Sequence, residues 1–439
     1  MTRSLRTFLE DMVSPGTLLP EGDGAGRDGW DLAPILAPPS EEEMARLLER
    51  ASEEGWTVLP AGYGRWPAGG GPADVDLVIS TRRLREISHY EPADLTFTAE
   101  AGISLSSLAE ATAAHGQWLP LDPPGGDGGS LGAAVATGVA GPLRHWYGPP
   151  RDHVLGLTVV SGDGRVLRWG GRVVKNVAGF DVTRLCIGSW GALGIITSVS
   201  ARLFPLPEVD ATLVLEGRDA VSLLPQARAM ALSSLPLAAV ELLDPFGWEQ
   251  AACRGTASLA VRLLGSRDEV DAMDSRVRRD LGGEGEIRRL GSEESRAFHR
   301  RLGTWEEGAD LVLRLVALPS LLREVVGLAE ESAAVMRGAS NGTGAAVRMA
   351  AHVGAGVLRM ALAGAPNDGG GVKNWIEAVR GLRGRMERIG GSLTVSSGPS
   401  SLQREVGVWG GGGGEAALLR ALKGQFDPRH QDSPGRIVG

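Results

Sequence analysis

The sequence predicts an α+β protein with a loop-rich first part and a more regular second part. Three observations predict it. The first regular elements follow βαββ order rather than strict alternation. The long glycine loops that could cradle a ligand all fall before Pro207. Beyond about residue 208, apolar strands alternate with amphipathic helices as in two βαβ halves.

Taken in order, residues 1–34 are polar and rich in Gly and Pro, and read as an arm that is poorly ordered or wraps the body. Ser40 with Glu43 makes a capping box, Met44, Leu47, Leu48 and Ala51 give a helical apolar stripe, and Gly55 suits the stop. A short strand follows at 56–59, then a glycine loop to residue 72, a strand at 76–80 and an alternating run at 95–101. Residues 105–114 read as an amphipathic helix closed by Gly116, ahead of a second glycine loop, LPLDPPGGDGGSLGAAVATGVAGP. Strands at 155–160 and 165–169 are joined by Asp163-Gly164, a hairpin turn signal. In the second part, strands at 211–216, 258–264 and 311–317 are separated by helical stretches including 270–281 and 321–336. Residues 367–371 and 410–414 read as flexible connections.

At 439 residues and 43% hydrophobic content, the chain is long enough for two domains with real cores. Its formal charge of -8 argues against a nucleic-acid partner. Cys186 and Cys253 lack CxxC spacing, so no disulfide framework, iron-sulfur site or zinc site is expected, and a reducing cytoplasm fits best. Nowhere do about 18 consecutive apolar residues occur, so any membrane contact is expected to be peripheral, through partners.

The most informative stretch covers residues 170–207, GGRVVKNVAGFDVTRLCIGSWGALGIITSVSARLFPLP. Gly188, Gly191 and Gly194 recur every three residues, which lets backbone approach a planar ligand; the same glycines can equally do no more than make turns. Ile195, Ile196, Val199 and Ala201 then give a buried strand. Gly62 and Gly64 raise a dinucleotide-binding Rossmann loop, which fails because Pro67 stands where a third glycine is required and the next element is a strand. No GxxxxGK[ST] run occurs. What remains is a site built from separate loops, with the backbone N–H groups of residues 61–66 and 125–130 offered to a pyrophosphate, which suits a long, bent ligand such as FAD.

A specific resemblance rests on Tyr90-Glu-Pro92, Leu121-Asp-Pro-Pro124, Ser130-Leu-Gly132, Gly141-Pro-Leu-Arg144, Arg151-Asp-His-Val-Leu-Gly156, Gly170-Gly171, Lys175-Asn-Val-Ala-Gly-Phe-Asp181, residues 188–196, and the closing Phe426-Asp-Pro428 with Pro434-Gly-Arg436. On these residues the chain resembles the flavoproteins of the vanillyl-alcohol oxidase and p-cresol methylhydroxylase (PCMH) type, and among them the FAD-binding accessory subunits of bacterial glycolate oxidases. The likeness is strong over residues 56–207 and at the tail, and weak between them. It implies a PCMH-type FAD-binding domain of two subdomains over 35–207, a smaller ferredoxin-like α+β cap or substrate domain over 208–410, and a tail, 411–439, that returns to the FAD domain.

Carried over residue by residue, the resemblance implies that Ala61, Gly62, Tyr63, Gly64, Arg65 and Trp66 hold the pyrophosphate. Pro124, Gly125, Gly126, Ser130 and Gly132 would hold the ribityl and phosphate, and Gly138 and Gly141 the ring environment. Asn176, Gly179, Gly191, Gly194, Ile195 and Ile196 would line the flavin or adenine. Arg151 and Asp152 either touch the ligand or form an internal ion pair. Two departures stand out: Ala133 where the family pairs a glycine with Gly132, and Ser433 where it has asparagine. No Arg-Gly-Gly-Gly-His run is present, so the FAD is expected to be non-covalent.

Oxidising a 2-hydroxy acid needs a cation for the carboxylate, a base for the hydroxyl proton and the carbon held against the flavin. Catalytic members of the family supply these through a Gly-His-x-Gly-Asp-Gly-Asn-x-His metal segment. The equivalent here, residues 351–359, keeps His352 but carries Ala355, Val357 and Arg359 in place of Asp, Asn and the second His, so no metal is expected. His352 reads as a remnant, with a catalytic role as the alternative, and Arg359 as a solvent-facing or interface residue. Arg314 interrupts the apolar strand DLVLRLVAL and either binds a carboxylate or makes an interface salt bridge. Trp305 and Trp409 read as core or interface.

The resemblance therefore implies an FAD-binding subunit of a glycolate oxidase-like complex that oxidises glycolate or a similar 2-hydroxy acid to the 2-oxo acid. Its implied partners are a paralogous catalytic flavoprotein and an iron-sulfur subunit. A stand-alone FAD-dependent oxidoreductase of another alcohol and a flavin-free structural subunit are the alternatives.

Overall fold

The computed structural model describes residues 5–20, 33–66, 70–171, 181–244, 257–282, 286–338, 346–364, 369–410, 415–429, 431–433 and 436. Three sheets position the site. The smallest is parallel, with Ile35–Leu36, Leu77–Ser80 and Val58–Ala61 in spatial order, and Asp432 from the tail bridges to Val58. Leu36, Val58, Leu77 and Ile79 pack against Met44, Leu47 and Leu48 of the helix Glu41–Glu54.

That helix starts at Ser40, whose side chain accepts from the Glu43 N–H, and stops at Gly55 in the left-handed region, φ 73°. The expected capping box is half made. The Glu43 carboxylate accepts from the hydroxyls of Ser14 and Thr17, each at 2.7 Å, and this ties the arm to the body. The arm is correspondingly structured over its described part: the helix Leu5–Met12 buries Leu9 in the same core.

The second sheet is antiparallel, in the order Ile87–Glu91, Thr96–Glu100, Ile195–Arg202, Val154–Val160, Val166–Gly170, with the helices Leu105–Ala113 and Leu131–Thr137 in its core. The hairpin predicted at Asp163-Gly164 forms, with Gly164 at φ 83°.

The third sheet has eight antiparallel strands. Its order is Ile287–Leu290, Val209–Gly217, Ala257–Gly265, Ala239–Leu243, Ala346–His352, Val357–Ala363, Leu311–Val316, Ser392–Ser397. Each group of four strands is one βαββαβ, ferredoxin-like half, and the halves join where Glu241 pairs with His352. Largely antiparallel sheets with most helices packed on one face make this the α+β class the sequence predicts.

Alternation along the strands decides which side chains face the first two sheets. Leu311, Leu313 and Leu315 enter the core beneath Leu322–Gly338 and Gly369–Arg388, as do Leu358, Met360 and Leu362, and Leu393 and Val395. Val312, Arg314, Arg359, Thr394 and Ser396 therefore face the other way. Part of that opposite surface is covered by the helix Ser292–Thr304, through Phe298 and Leu302 on Val214, Ala260 and Leu290. Among the described residues, no helix is long and apolar enough to cross a membrane.

Candidate functional site

Two connected cavities run between these layers. The smaller, with about 670 Å³ of empty space, lies between the small sheet and the helix Leu131–Thr137. Ala61, Gly62, Gly64, Arg65, Trp66, Gly132, Gly191, Gly194, Ile195 and Ile196, all expected from the sequence, line it. A Cβ at Gly62 would stand 2.3 Å from Ser130 Oγ, one at Gly132 2.5 Å from Ala101 Cβ, and one at Gly191 2.8 Å from Pro60 Cγ. Side chains there would close the walls together. Among the described residues, the backbone N–H groups of residues 62–66 donate to nothing in the chain, which leaves unused donors beside the cavity that Gly62, Gly64, Arg65 and Trp66 line.

Other expected residues build the walls without lining either cavity. Tyr63 donates its hydroxyl to Gly102 O at 2.8 Å, and Ser130 caps the helix by accepting from Ala133 N–H. The Gly126 N–H is used on Pro123 O, and a Cβ at Gly141 would strike Asp122 O at 2.0 Å. Arg151 and Asp152 form the internal ion pair, 3.8 Å apart and exposed. Asn176 and Gly179 lie outside the described residues.

Sequence reasoning missed Trp190 and Arg436. Trp190 sits where the two cavities meet, shared with Arg65, Trp66 and Thr137. Its φ of 53° is costly for a bulky residue, and such strain persists only where surroundings impose it. Its N–H donates to Ala136 O, its carbonyl accepts from Ser433 Oγ, and its ring meets Trp409 edge-on at 5.4 Å. Trp409 lines the larger cavity while remaining 38% exposed, and Trp305 packs on the core beside Phe298.

Arg436 is delivered by the tail. Ser433 N–H donates to Val58 O, Val58 N–H to Gln431 O, and Lys423 Nζ binds Asp427, Asp432 O and Ala192 O. The tail so clasps both walls of the smaller cavity. Burial holds the Arg436 guanidinium down to about 10, still cationic at neutral pH. Burial, with Asp427 alongside, pushes the Asp432 carboxyl up to about 8. An acid raised on folding contributes stability in full below its unfolded pKa near 4, and that contribution is lost as pH rises through about 8. We expect the melting temperature to fall across this window, and Asp432→Asn to flatten the fall; equal slopes in thermal melts of both proteins would contradict it.

The larger cavity, with about 1320 Å³ of empty space, opens over the second ferredoxin-like half. From the first domain it is lined by Arg65, Trp66, Pro124, Gly125, Gly138 and Arg144, and from the sheet by Val312, Arg314, Arg359, Thr394, Ser396 and Ser397. Gly125 N–H donates to Gly303 O at 2.6 Å, and Arg65 pairs with Glu307 at 3.0 Å, so the glycine loops meet the end of the helix Ser292–Thr304 and the segment after it here. Arg359 is not solvent-facing: it is 7% exposed and engages Glu306 through two nitrogens. Arg314 stands directly opposite Arg359 in the strand register and has no hydrogen-bond or ion-pair partner among the described residues. Burial and its neighbours Arg359 and Arg144 lower Arg314 to about 10, so it remains a cation.

His352 lines neither cavity. Its Nδ1 lies 2.6 Å from Glu241 Oε2 in the core, where burial and then Arg359 push the imidazole down to about 3 and burial raises Glu241. Both groups are therefore held towards neutrality. Among the described residues, no cluster of three or more His, Cys, Asp or Glu is arranged to hold a metal. Cys186 is buried and its thiol is pushed up to about 12, which leaves it unreactive.

A family model described as FAD binding domain matches residues 33–170, and one described as FAD linked oxidases, C-terminal domain, matches residues 262–437. The chain is similar to glycolate oxidase subunit GlcE of Escherichia coli (strain K12), 37% identical over 210 residues, 47% of this chain and 54% of that protein. It is also similar to glycolate oxidase subunit GlcD of Bacillus subtilis (strain 168), 34% identical over 181 residues, 41% of this chain and 38% of that one. The chain thus spans about half, or less, of the length of these curated relatives. Among solved structures, an alkyldihydroxyacetonephosphate synthase matches with a TM-score of 0.74 at 19% identity, covering 98% of this chain and 85% of that one, a likeness of fold.

Proposed function

Because the chain belongs to the FAD-linked oxidases of the PCMH type, with FAD as its cofactor, we propose that it is the FAD-binding subunit of a glycolate oxidase-like complex that oxidises glycolate or a similar 2-hydroxy acid to the 2-oxo acid. The observation that carries the reading is Arg314, which lines the larger cavity and has no hydrogen-bond or ion-pair partner among the described residues. The smaller cavity suits FAD on its own chemistry: unused amides at residues 62–66 and the Arg436 cation fit a non-covalent diphosphate, and Gly62, Gly132 and Gly191 leave room that side chains would fill.

When bound, FAD supplies the acceptor for the two electrons that leave the hydroxylated carbon. The chain's own residues bind and orient the acid. Arg314 holds the carboxylate, Thr394 and Ser396 offer hydroxyls beside it, and the Arg65–Glu307 pair ties the cavity's two sides together. For the hydroxyl proton, the carboxylates among the described lining residues are Glu306 and Glu307, each shared with an arginine, and no described His, Lys, Tyr or Cys lines the cavity. The lack of a dedicated base among the described residues supports a companion role, in which this chain binds the acid without turning it over, a paralogous catalytic flavoprotein oxidises it and an iron-sulfur subunit carries the electrons away.

The purified chain is expected to release flavin on denaturation and to show no bleaching when glycolate is added anaerobically. Bleaching of the isolated chain would make it a stand-alone oxidoreductase, and folded protein without flavin would overturn the cofactor assignment.

A further inference from the structure

The larger cavity carries more positive charge than its acids neutralise. Arg65, Arg144, Arg314 and Arg359 all line it. Arg65 is matched by Glu307 and Arg359 by Glu306. The guanidinium groups of Arg144 and Arg314 have no hydrogen-bond or ion-pair partner among the described residues. Two acids act on Arg144, and neither lines the cavity: Asp122, whose Oδ2 accepts from Leu143 N–H and whose carboxyl burial pushes up to about 7, and Asp152, which is exposed and pairs with Arg151.

Two unmatched cations in one part-buried cavity repel each other, and like charges opposite each other in a sheet, as Arg314 and Arg359 are, add to that cost. A bound anion relieves it. A single carboxylate on Arg314 would leave Arg144 uncompensated, and the diphosphate of FAD is assigned to the other cavity, beside Arg436. The two cations also come from opposite sides. Arg144 lies in the segment Pro142–His145 of the first domain, and Arg314 lies on a strand of the second.

We propose that the 2-hydroxy acid bound here carries a second carboxylate, with Arg314 holding the end next to the hydroxyl and Arg144 holding the far end. The inference rests on the larger cavity being the acid-binding site. It narrows the substrate class to dicarboxylic 2-hydroxy acids and makes Arg144 the residue that selects for them.

The test is equilibrium binding to the FAD-loaded protein under anaerobic conditions, with lactate against malate and glycolate against tartronate. Dissociation constants are read from the perturbed visible flavin band and from calorimetry. The dicarboxylate of each pair is expected to bind at least about 10-fold more tightly, with a steeper salt dependence. In Arg144→Gln that ratio should fall to about one, while Arg144→Lys, which keeps the charge, should retain part of it. A wild-type ratio near one, or a ratio that survives in a folded Arg144→Gln protein, overturns the proposal. Protein that carries no flavin fails the cofactor assignment instead, and calorimetry on it with the same acid pairs still decides the role of Arg144.

Discussion

Replacing Gly62 by valine is expected to give folded protein that carries almost no FAD. A Cβ at this position would lie 2.3 Å from Ser130 Oγ and 3.3 Å from Ala133 Cβ, the N-cap and a first-turn residue of the helix Leu131–Thr137. Valine adds two further methyl groups, which must enter the cavity or push the loop of residues 62–66 off the helix. Either movement spoils the run of unused amides. Overpacking of this kind costs about 1–3 kcal/mol, which the three sheets can absorb, so the loss should be of cofactor and not of fold. The measurement is the ratio of visible to ultraviolet absorbance after purification, with circular dichroism as the control for folding. Gly327→Ala is the matched control, since a Cβ there meets nothing within 4 Å. Retention of full flavin by a folded Gly62→Val protein would remove the smaller cavity as the FAD site.

Arg314→Gln is expected to weaken binding of a 2-hydroxy acid to the FAD-loaded protein by roughly 30- to 1000-fold, the range of about 2–4 kcal/mol that a charge-assisted carboxylate contact supplies when it is desolvated. Glutamine keeps much of the volume and removes the charge. Stability should hold or rise, because the guanidinium it removes faces Arg359 and has no acidic partner of its own among the described residues. The two readouts separate the roles. Lower affinity at an unchanged or higher melting temperature marks a ligand-binding cation, whereas a lower melting temperature at unchanged affinity would make Arg314 structural.

Much of the architecture was legible because local rules act on adjacent residues. The helix at Glu41–Glu54 is announced by Ser40, its apolar stripe and Gly55, and the hairpin by Asp163-Gly164. Arg314 was legible for the same reason, as a charge in an apolar strand. Arg359 follows the same alternation: Leu358, Met360 and Leu362 are core, so the residue between them must face away from the helices. That signal could have placed it, but no local rule names Glu306 as its partner.

The half-made capping box shows where local reading ends. Glu43 has the right spacing to return to Ser40, yet its carboxylate serves Ser14 and Thr17, which only the fold brings near. The pairing of His352 with Glu241 spans 111 positions, and Lys423 reaches Ala192 across 231. Trp190 gives no sequence sign of its left-handed backbone, which is imposed by Ala136, Ser433 and Trp409.

By itself, then, the amino-acid order determined the secondary elements, the α+β class and the glycines that let a cofactor approach, because these depend on backbone freedom, periodicity and caps within a few residues. Only the tertiary structure decided which cations are matched and which are left for a ligand, and that the tail brings Arg436 to the cavity. Charge balance in a cavity is a sum over groups distant in the chain, and no local pattern contains that sum.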